Sequence, residues 1–408
     1  MESAPEAPSE QAEPIRALPH TWEEARALAY GVAEPLPAHE VPLAQAAGRK
    51  LGADVLARHD MPHYASSAMD GWAVAGSPPW ILAEPGRRLT AGQAVPIVTG
   101  GTIPAGAKAV LRSESGTLST DDDGLPVLVR GGAARPGEPK NGQHIRPAAE
   151  EAATGEVLVK AGTTLNPAHL ALAALGGLDE VTVLGKPAVK LVLTGDEVVS
   201  AGIPAAGLVR DAFSPQLGGV VELLGGSVTG VQRAADTLEE LLAALADTEH
   251  DPADVVITTG GTGRSSADHL RSAIAEMGGT LHIGSIAMRP GHPTLLAELP
   301  DGRFLVGLPG NPLAAMIALL TVAAPLLARL GSRPMPGTFE VACGSPIKEY
   351  PGPTRLMPYR LVYGLASPCS FTDSAMMRGL AAADGVMVVP PHGAKMGESL
   401  TAIALPWT

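Results

Sequence analysis

The chain has 408 residues, a length that suggests two to four domains and allows each of them to bury a core. It carries 42 acidic and 29 basic residues, for a net charge of −13, and only 3% of its residues are aromatic. An acidic chain with few aromatic side chains suits neither nucleic acid nor an anionic membrane surface, so we expect neither as a partner.

The cysteines and the apolar runs bear on location. Cys343 and Cys369 stand apart without CxxC spacing, so neither a zinc site nor a disulfide framework is predicted. Residues 1–14 are acidic and rich in Pro and Ala, unlike a signal peptide, and we expect a disordered tail there. The apolar run 313–328 is shorter than the roughly 20 residues that span a bilayer. We therefore expect a cytoplasmic protein without a membrane segment.

The first half of the chain predicts helices and a small β domain. Thr21, followed by acidic residues, predicts a helix start, and the apolar spacing predicts a second helix over 42–56. Between 61 and 149, short β-type runs alternate with Gly- and Pro-rich turns, as is typical of a small β domain. Asn166 precedes a further helical pattern.

The second half predicts an α/β domain followed by a β domain. Between 179 and 332, apolar runs alternate with amphipathic helical patterns, which predicts a mostly parallel sheet covered by helices on both faces. Asn311 is expected to cap a further helix that begins near Leu313. Residues 333–408 return to short strands, which favours a β barrel or sandwich. The strands are predicted at 188–194, 227–232, 254–259, 279–284, 295–299 and 304–308, and the helices at 215–225, 236–247 and 266–277.

Three polar loops of the α/β section follow predicted strands, where ligands bind in open α/β sheets. They are residues 194–197, 259–266 and 307–312. Their glycines let the backbone approach a ligand closely, and the helix starts that follow favour a phosphate or other oxyanion. Arg289 adds a fixed positive charge. These residues alone predict a small anionic ligand and leave its identity open.

Six segments resemble, in order, the segments that mark one enzyme family. They are SSAMDGWAV (66–74), IVTGGTIPAGAKAVLRSE (97–114), VLTGDEV (192–198), DVVITTGGTGRSSADHL (254–270), RPGHP (289–293) and LPGNPLAA (308–315). They are similar to the corresponding segments of the molybdopterin molybdenumtransferases, the family of bacterial MoeA and of the E domain of gephyrin. The resemblance extends from about residue 18 to residue 408.

The resemblance implies both a fold and a function. The implied domains are an elongated helical domain (15–60 and 150–178), a small β domain (61–149), an α/β molybdopterin-binding domain (179–332) and a C-terminal β barrel (333–408). The implied reaction inserts molybdenum from molybdate into adenylyl-molybdopterin and releases AMP, with Mg²⁺ as cofactor. The resemblance also implies a homodimer, and we expect a molybdopterin adenylyltransferase as a further partner.

The implied site residues suit that chemistry, because a divalent cation that neutralises the phosphoanhydride takes carboxylate ligands. The implied catalytic residues are Asp70, Glu151, Glu197, Asp236, Asp268 and Arg289. Among them the implied metal ligands are Asp70, Glu197, Asp236 and Asp268. The implied substrate-binding residues are Thr99, Thr194, Gly260, Gly261, Thr262, Gly263, Ser265, Arg289, His292, Pro309, Gly310 and Asn311.

The chain departs from the family pattern at several of these segments. Glu151 stands where the family has aspartate, Ala149 where it has glycine and Phe213 where it has asparagine. Arg289 and His292 replace two lysines; arginine keeps a permanent charge, whereas histidine does not. These departures motivate an alternative, a diverged protein that binds molybdopterin without inserting the metal. The TGGTG loop at 259–263 suggests a second alternative, a molybdopterin adenylyltransferase.

Structural roles compete with some of these assignments. Asp70 with Gly71 is also a common turn signal, and the spacing of Asp268 from Ser265 fits a helix capping box. His59, Asp60 and His63 would be metal candidates, but no further ligand stands at the expected spacing.

Overall fold

The chain forms two compact units in a computed structural model that describes residues 18–121, 124–246, 252–262 and 269–408. The discontinuous unit comprises residues 18–37 and 185–408, and the central unit comprises residues 38–184. The tail predicted at 1–14 lies outside the described residues.

A six-stranded mixed sheet forms the centre of the α/β section of the discontinuous unit. Its strands, in spatial order, are Ser227–Arg233, Ala188–Leu193, Val255–Thr259, Phe304–Leu308, Leu295–Glu298 and Thr280–Ile283. The first four strands pair in parallel, and each of the last two pairs antiparallel with the strand before it. All six predicted strands are present, and the carboxyl ends of the four parallel strands therefore meet at one edge of the sheet.

Helices pack on the sheet through two separate apolar clusters. Alternate strand residues serve the two clusters: Leu191 and Ile257 belong to the first, and Val192 and Val256 to the second. Because successive side chains of a strand point to opposite faces, the sheet is covered on both sides. The helices of this unit are Trp22–Gly31, Ser214–Leu223, Leu238–Ala246, Leu270–Glu276, Pro312–Ala318, Ala324–Leu330 and Arg378–Ala381.

The longest helical run, Pro312–Leu330, is a core element with a π-helical segment, Leu319–Ala323. Pro325 has no N–H to offer the preceding turn, so a carbonyl group there needs another donor. The buried Arg26 donates to the Leu320 carbonyl oxygen at 3.3 Å. By length and composition this 19-residue run could cross a membrane, which corrects the expectation that it is too short, but 94% of its apolar window is buried inside the protein.

A second sheet occupies the C-terminal part of the discontinuous unit. Its strands are Phe339–Ala342, Thr354–Val362, Leu365–Pro368, Gly385–Val389 and Ser399–Ala404. A parallel bridge between Cys343 and Ala366 brings the two ends of this sheet together. The short strand Met288–Arg289 of the α/β section also joins it, pairing in parallel with Thr354 and Arg355.

The central unit contains a small β domain and a region of two-stranded ribbons. Its largest sheet has, in spatial order, the strands Ala109–Arg112, Gly71–Ala75, Gln93–Ile97, Trp80–Leu82, Pro126–Arg130 and Gly116–Thr120. The ribbons pair His39–Pro42 with Glu180–Val183, Val55–Leu56 with Val157–Val159 and Ser66–Ser67 with Ile145–Arg146. The helix Pro167–Leu175 follows Asn166, as predicted, and the Asn166 side chain caps it by accepting a hydrogen bond from the His169 N–H.

The prediction of a helix over 42–56 is wrong. This segment holds a strand end, a single 3₁₀ turn at Leu43–Gln45 and the strand Val55–Leu56. Gly48 has a φ of +73°, which ends any helix there. The buried Leu51 and Val55 belong to the cluster that packs around the ribbons, so their apolar spacing reflects ribbon packing instead of a helix face.

Candidate active site

Three loops meet at the carboxyl edge of the six-stranded sheet, and hydrogen bonds tie them together. The Thr194 hydroxyl donates to the Thr259 carbonyl oxygen at 2.6 Å. The Gly260 N–H donates to the Leu308 carbonyl oxygen at 2.9 Å. The loops that follow three adjacent strands are therefore fixed to one another at their first residues.

Gly260 and Gly261 need to be glycine for two reasons. Their φ angles are +80° and +63°, a region that L side chains rarely adopt. A Cβ atom on Gly260 would also lie 2.8 Å from the Thr194 hydroxyl oxygen. Two successive left-handed residues turn the chain sharply at the sheet edge and leave backbone polar groups free of side-chain cover.

A cleft of about 690 Å³ opens above these loops. Nine of the predicted site residues line it: Thr194, Glu197, Asp236, Gly260, Gly261, Thr262, Pro309, Gly310 and Asn311. Gly263, Ser265 and Asp268 lie outside the described residues. The structure therefore brings together the described residues of all three polar loops that the sequence singled out.

Three acidic residues, Glu197, Asp211 and Asp236, line the cleft, and Asp236 is hydrogen-bonded to the neighbouring loop that carries Asp196. The Asp236 carboxylate accepts a hydrogen bond from the Asp196 N–H at 3.1 Å, and the Asp196 carboxylate accepts one from the Asp236 N–H at 3.3 Å. Glu197 is exposed on the cleft wall, where its carbonyl oxygen accepts from the Val209 N–H. Within the described ranges, no three His, Cys, Asp or Glu side chains are grouped so that they could hold a metal ion.

Asp211 is a buried carboxylate on the same cleft, and no prediction gave it a role. It accepts hydrogen bonds from the Ser214 side chain, from the Phe213 and Ser214 N–H groups and from Arg233. Burial acts to raise the pKa of Asp211, but these hydrogen bonds and the Arg233 charge outweigh burial and lower the pKa overall. Asp211 thus fixes the start of the helix Ser214–Leu223 beside the cleft.

Arg289 and His292 line a second cavity, of about 830 Å³, in the same unit. This cavity and the first cleft share Pro293, Pro309 and Asn311 as lining residues, so the two are neighbours. The His292 Nδ1 atom is 2.7 Å from the Ile286 carbonyl oxygen, to which it donates, and this fixes the ring. Arg289, the cation that the sequence singled out, therefore lines the second cavity, next to the first cleft.

Sequence reasoning missed the residues that surround Arg289. Its guanidinium donates to the Tyr350 hydroxyl at 2.5 Å, and Arg355 contacts the same phenol ring. Asn311 occupies the helix N-cap position, but its side chain makes no capping hydrogen bond and donates to the Ser374 hydroxyl at 3.2 Å. The pairing of Met288–Arg289 with Thr354–Arg355 brings these C-terminal residues to the cavity, and no local sequence signal announces that pairing.

Asp70 and Thr99 of the central unit lie side by side. The Asp70 Oδ1 atom accepts hydrogen bonds from the Thr99 N–H at 2.7 Å and from the Thr99 hydroxyl at 3.0 Å. These two bonds lower the pKa of Asp70 and keep it ionised. A Cβ atom on Gly71 would lie 2.0 Å from the Leu111 carbonyl oxygen, so the glycine is required by the strand that it begins.

Similar proteins of known family place the chain. Three family models match successive regions: the MoeA N-terminal region (domain I and II) at residues 20–177, a probable molybdopterin binding domain at 190–329 and the MoeA C-terminal region (domain IV) at 340–405. A molybdopterin molybdenumtransferase of Nostoc sp. is 31% identical over 71% of this chain and 69% of its own length. The chain belongs to the MoeA family.

Further members support this assignment. A molybdopterin molybdenumtransferase of Haemophilus influenzae is 32% identical over 71% of this chain and 72% of its own length. The crystal structure of a molybdopterin biosynthesis MoeA protein from Pyrococcus horikoshii aligns with a TM-score of 0.71 and 25% identity, over 95% of this chain and 99% of that one. The multidomain MoeA fold is therefore present along nearly the whole chain.

One departure from the MoeA pattern lies in a turn of the central unit. Ala149, which replaces a family glycine, has a φ of +59°, so the turn keeps the glycine conformation without the glycine. The next residues, Glu150 and Glu151, line a third cavity, of about 510 Å³, together with Arg146. The segment thus keeps its shape while the carboxylate of Glu151 extends one methylene further than that of an aspartate.

Proposed function

We propose that this chain is a molybdopterin molybdenumtransferase, which inserts molybdenum from molybdate into adenylyl-molybdopterin and releases AMP. The observation that carries the proposal is the cleft at the carboxyl edge of the sheet, lined by nine of the predicted site residues, eight of which lie in segments that resemble family motifs. The same activity is supported by the membership of the chain in the MoeA family and by relatives named molybdopterin molybdenumtransferase.

The first cleft suits the phosphate part of the substrate. Gly260 and Gly261 carry no side chain that would keep a ligand away from this turn of the backbone, and Thr262 and Asn311 add polar side chains near the same loops. Backbone groups of this kind bind phosphate oxygens without the reorganisation that a flexible side chain would require. We assign the terminal phosphate and the anhydride of adenylyl-molybdopterin to this cleft.

Glu197 and Asp236 are the described cleft residues suited to Mg²⁺. Their carboxylates are hard oxygen donors, which this ion prefers, and both lie on the cleft where the anhydride would bind. We assign Asp70 and Asp268 as further ligands from the family resemblance, with Thr99 orienting Asp70. When bound, Mg²⁺ would neutralise charge on the anhydride and on the leaving AMP.

The second cavity suits molybdate, a small dianion. Arg289 supplies positive charge, and Ser374 places a hydroxyl group on the same cavity. Its shared wall with the first cleft would hold the anion beside the pterin phosphate, so that both substrates are bound close together. Glu151, in the central unit, is assigned a catalytic role by resemblance alone.

The same proposal includes the cellular context. We infer a homodimer in the cytoplasm that receives adenylyl-molybdopterin from an adenylyltransferase. The four-domain division with a closed C-terminal barrel is part of this inference, and the bridge between Cys343 and Ala366 supports the barrel.

Incubation with adenylyl-molybdopterin, molybdate and Mg²⁺ tests the activity. The expected result is AMP release, followed by chromatography, together with cofactor that activates an apo-molybdoenzyme. Tight pterin binding without AMP release would favour the binding-only alternative. Transfer of AMP from ATP to molybdopterin would favour the adenylyltransferase alternative.

A further inference from the structure

We propose that Tyr350 is a positioning residue that holds Arg289 at the second cavity and thereby sets the affinity of that cavity for a tetrahedral oxyanion. The inference rests on the proposed function in one respect, the choice of molybdate as the physiological anion.

The contacts of the Tyr350 ring carry the argument. The Arg289 guanidinium donates to the Tyr350 hydroxyl, and its central carbon lies 5.6 Å from the ring centroid. The Arg355 guanidinium carbon lies 5.6 Å from the same centroid. One phenol therefore contacts two cationic groups, each within the distance at which a cation is attracted to a ring.

The backbone explains why both cations reach this ring. Arg289 and Arg355 are paired residues of two parallel strands, so their side chains leave the strands in the same direction. Like charges on paired residues of neighbouring strands repel each other, and a ring that attracts both cations reduces the cost. Without the ring, we expect the exposed Arg289 side chain to turn towards solvent.

Tyr350 itself is firmly placed. Its N–H donates to the Pro391 carbonyl oxygen at 2.8 Å, and a Cβ atom on Gly352 would lie 2.6 Å from the ring. The chain thus leaves room for a large ring at this position. Arg355 has its own anchor, because it donates to the Lys348 carbonyl oxygen at 2.6 Å. Arg289, in contrast, has Tyr350 as the hydrogen-bond partner that the structure describes.

Two substitutions separate the hydroxyl from the ring. Tyr350→Phe keeps the ring and removes the acceptor for Arg289, and we expect it to weaken oxyanion binding by about five-fold. Tyr350→Leu removes both, and we expect a loss of about twenty-fold. Tyr363→Phe is the matched control, because Tyr363 is fully exposed at a hairpin tip of the same sheet, and its binding should equal that of the unmodified protein.

The measurement is calorimetric titration of the full-length protein with sodium molybdate and sodium tungstate, without pterin. The expected order of affinity is unmodified protein and Tyr363→Phe first, then Tyr350→Phe, then Tyr350→Leu, with equal melting temperatures for the first three. Equal affinity of Tyr350→Phe and unmodified protein would overturn the inference, and so would a failure of the unmodified protein to bind either anion.

A second measurement keeps this result separate from the activity. In the AMP-release assay, Tyr350→Phe should raise the KM for molybdate and leave kcat at saturating molybdate unchanged, because Tyr350 acts through Arg289 on binding. A general structural role would lower kcat instead, which would also overturn the inference. Loss of AMP release in the unmodified protein, with anion binding retained, would count against the proposed function and not against the role of Tyr350.

Discussion

Two carboxylates of the central unit share one hydrogen-bond pattern, although only one of them, Asp70, has a proposed catalytic role. Asp70 accepts two hydrogen bonds from Thr99, and Asp60 accepts two from Thr154 in the same way, from the N–H at 2.9 Å and the hydroxyl at 2.8 Å. In both cases these bonds lower the pKa of the carboxyl group. The local geometry is shared, so only the surrounding motif distinguishes them.

This pair provides a matched test of the catalytic assignment. Asp70→Asn should lower the rate of AMP release by roughly 100-fold or more, because it removes a charge from the proposed metal site. Asp60→Asn makes the same change in the same hydrogen-bond setting and should leave the rate within about two-fold. Circular dichroism and melting curves should match the unmodified protein for both. Equal rates for the two variants would remove Asp70 from the mechanism.

Glu138 gives the central unit a predictable acid sensitivity. It is 2% exposed, and hydrogen bonds from the Arg112 guanidinium and the Arg135 N–H lower its pKa from 4.5 to about 2. A carboxyl group whose pKa is lower in the folded state stabilises the protein above pH 4.5, and this stabilisation is lost as the pH falls towards 2. The contribution is on the order of 3 kcal/mol.

Urea unfolding at several pH values, followed by tryptophan fluorescence, measures this effect. Glu138→Gln should be less stable at pH 7 and should lose less stability than the unmodified protein between pH 5 and pH 3. The control is Glu84→Gln, because Glu84 forms an exposed ion pair with Arg87. A pH dependence of Glu138→Gln that matches the unmodified protein would contradict the assignment.

At the scale of elements, the sequence predicted best where period and burial agree. The strands of the six-stranded sheet were placed within one or two residues, because fully apolar runs alternate with amphipathic helices there. The segment 42–56 failed because Leu51 and Val55 have helical spacing but pack into a cluster around short ribbons. Periodicity identifies which residues are buried, and it does not by itself identify what they pack against.

The turn at Ala149 is a strained element that one substitution can relieve. An L residue at a φ of +59° costs roughly 1 kcal/mol or more, and glycine removes that cost while adding some unfolded-state entropy. Ala149→Gly should therefore raise the free energy of unfolding by about 0.5 kcal/mol. Ala153→Gly, four residues on and outside the left-handed region, should lower it by a similar amount. Urea titration of the two variants gives the comparison.

At the scale of the whole molecule, the site was predictable in its loops and not in its surroundings. The loops that carry Thr194, Gly260 and Asn311 follow adjacent parallel strands, so sheet topology alone brings them together. Tyr350 lines the second cavity and contacts Arg355, and a two-residue strand pairing across about sixty residues of chain brings this part of the C-terminal sheet beside Arg289. Such a pairing depends on tertiary packing, which a local pattern does not encode.

The division into two units predicts that the central one folds alone. Residues 38–184 are contiguous, and their first and last strands, His39–Pro42 and Glu180–Val183, pair antiparallel. We expect the fragment 38–184 to unfold cooperatively in urea with the acid sensitivity of Glu138 intact. A fragment that begins at residue 44 lacks the first strand of this pair and should be less stable. Non-cooperative unfolding of both fragments would contradict this.

The pairing of His39–Pro42 with Glu180–Val183 has a consequence for how the sequence of the central unit can change in evolution. Leu36 and Gly185 also touch on the other side of the boundary, where a Cβ atom on Gly185 would lie 2.3 Å from the Leu36 Cβ atom. The polypeptide thus leaves the α/β section and returns to it at one place, so the central unit is an inserted domain. Insertions or deletions in the central unit, or replacement of the whole unit, would leave the order and the spacing of the strands in the α/β section unchanged.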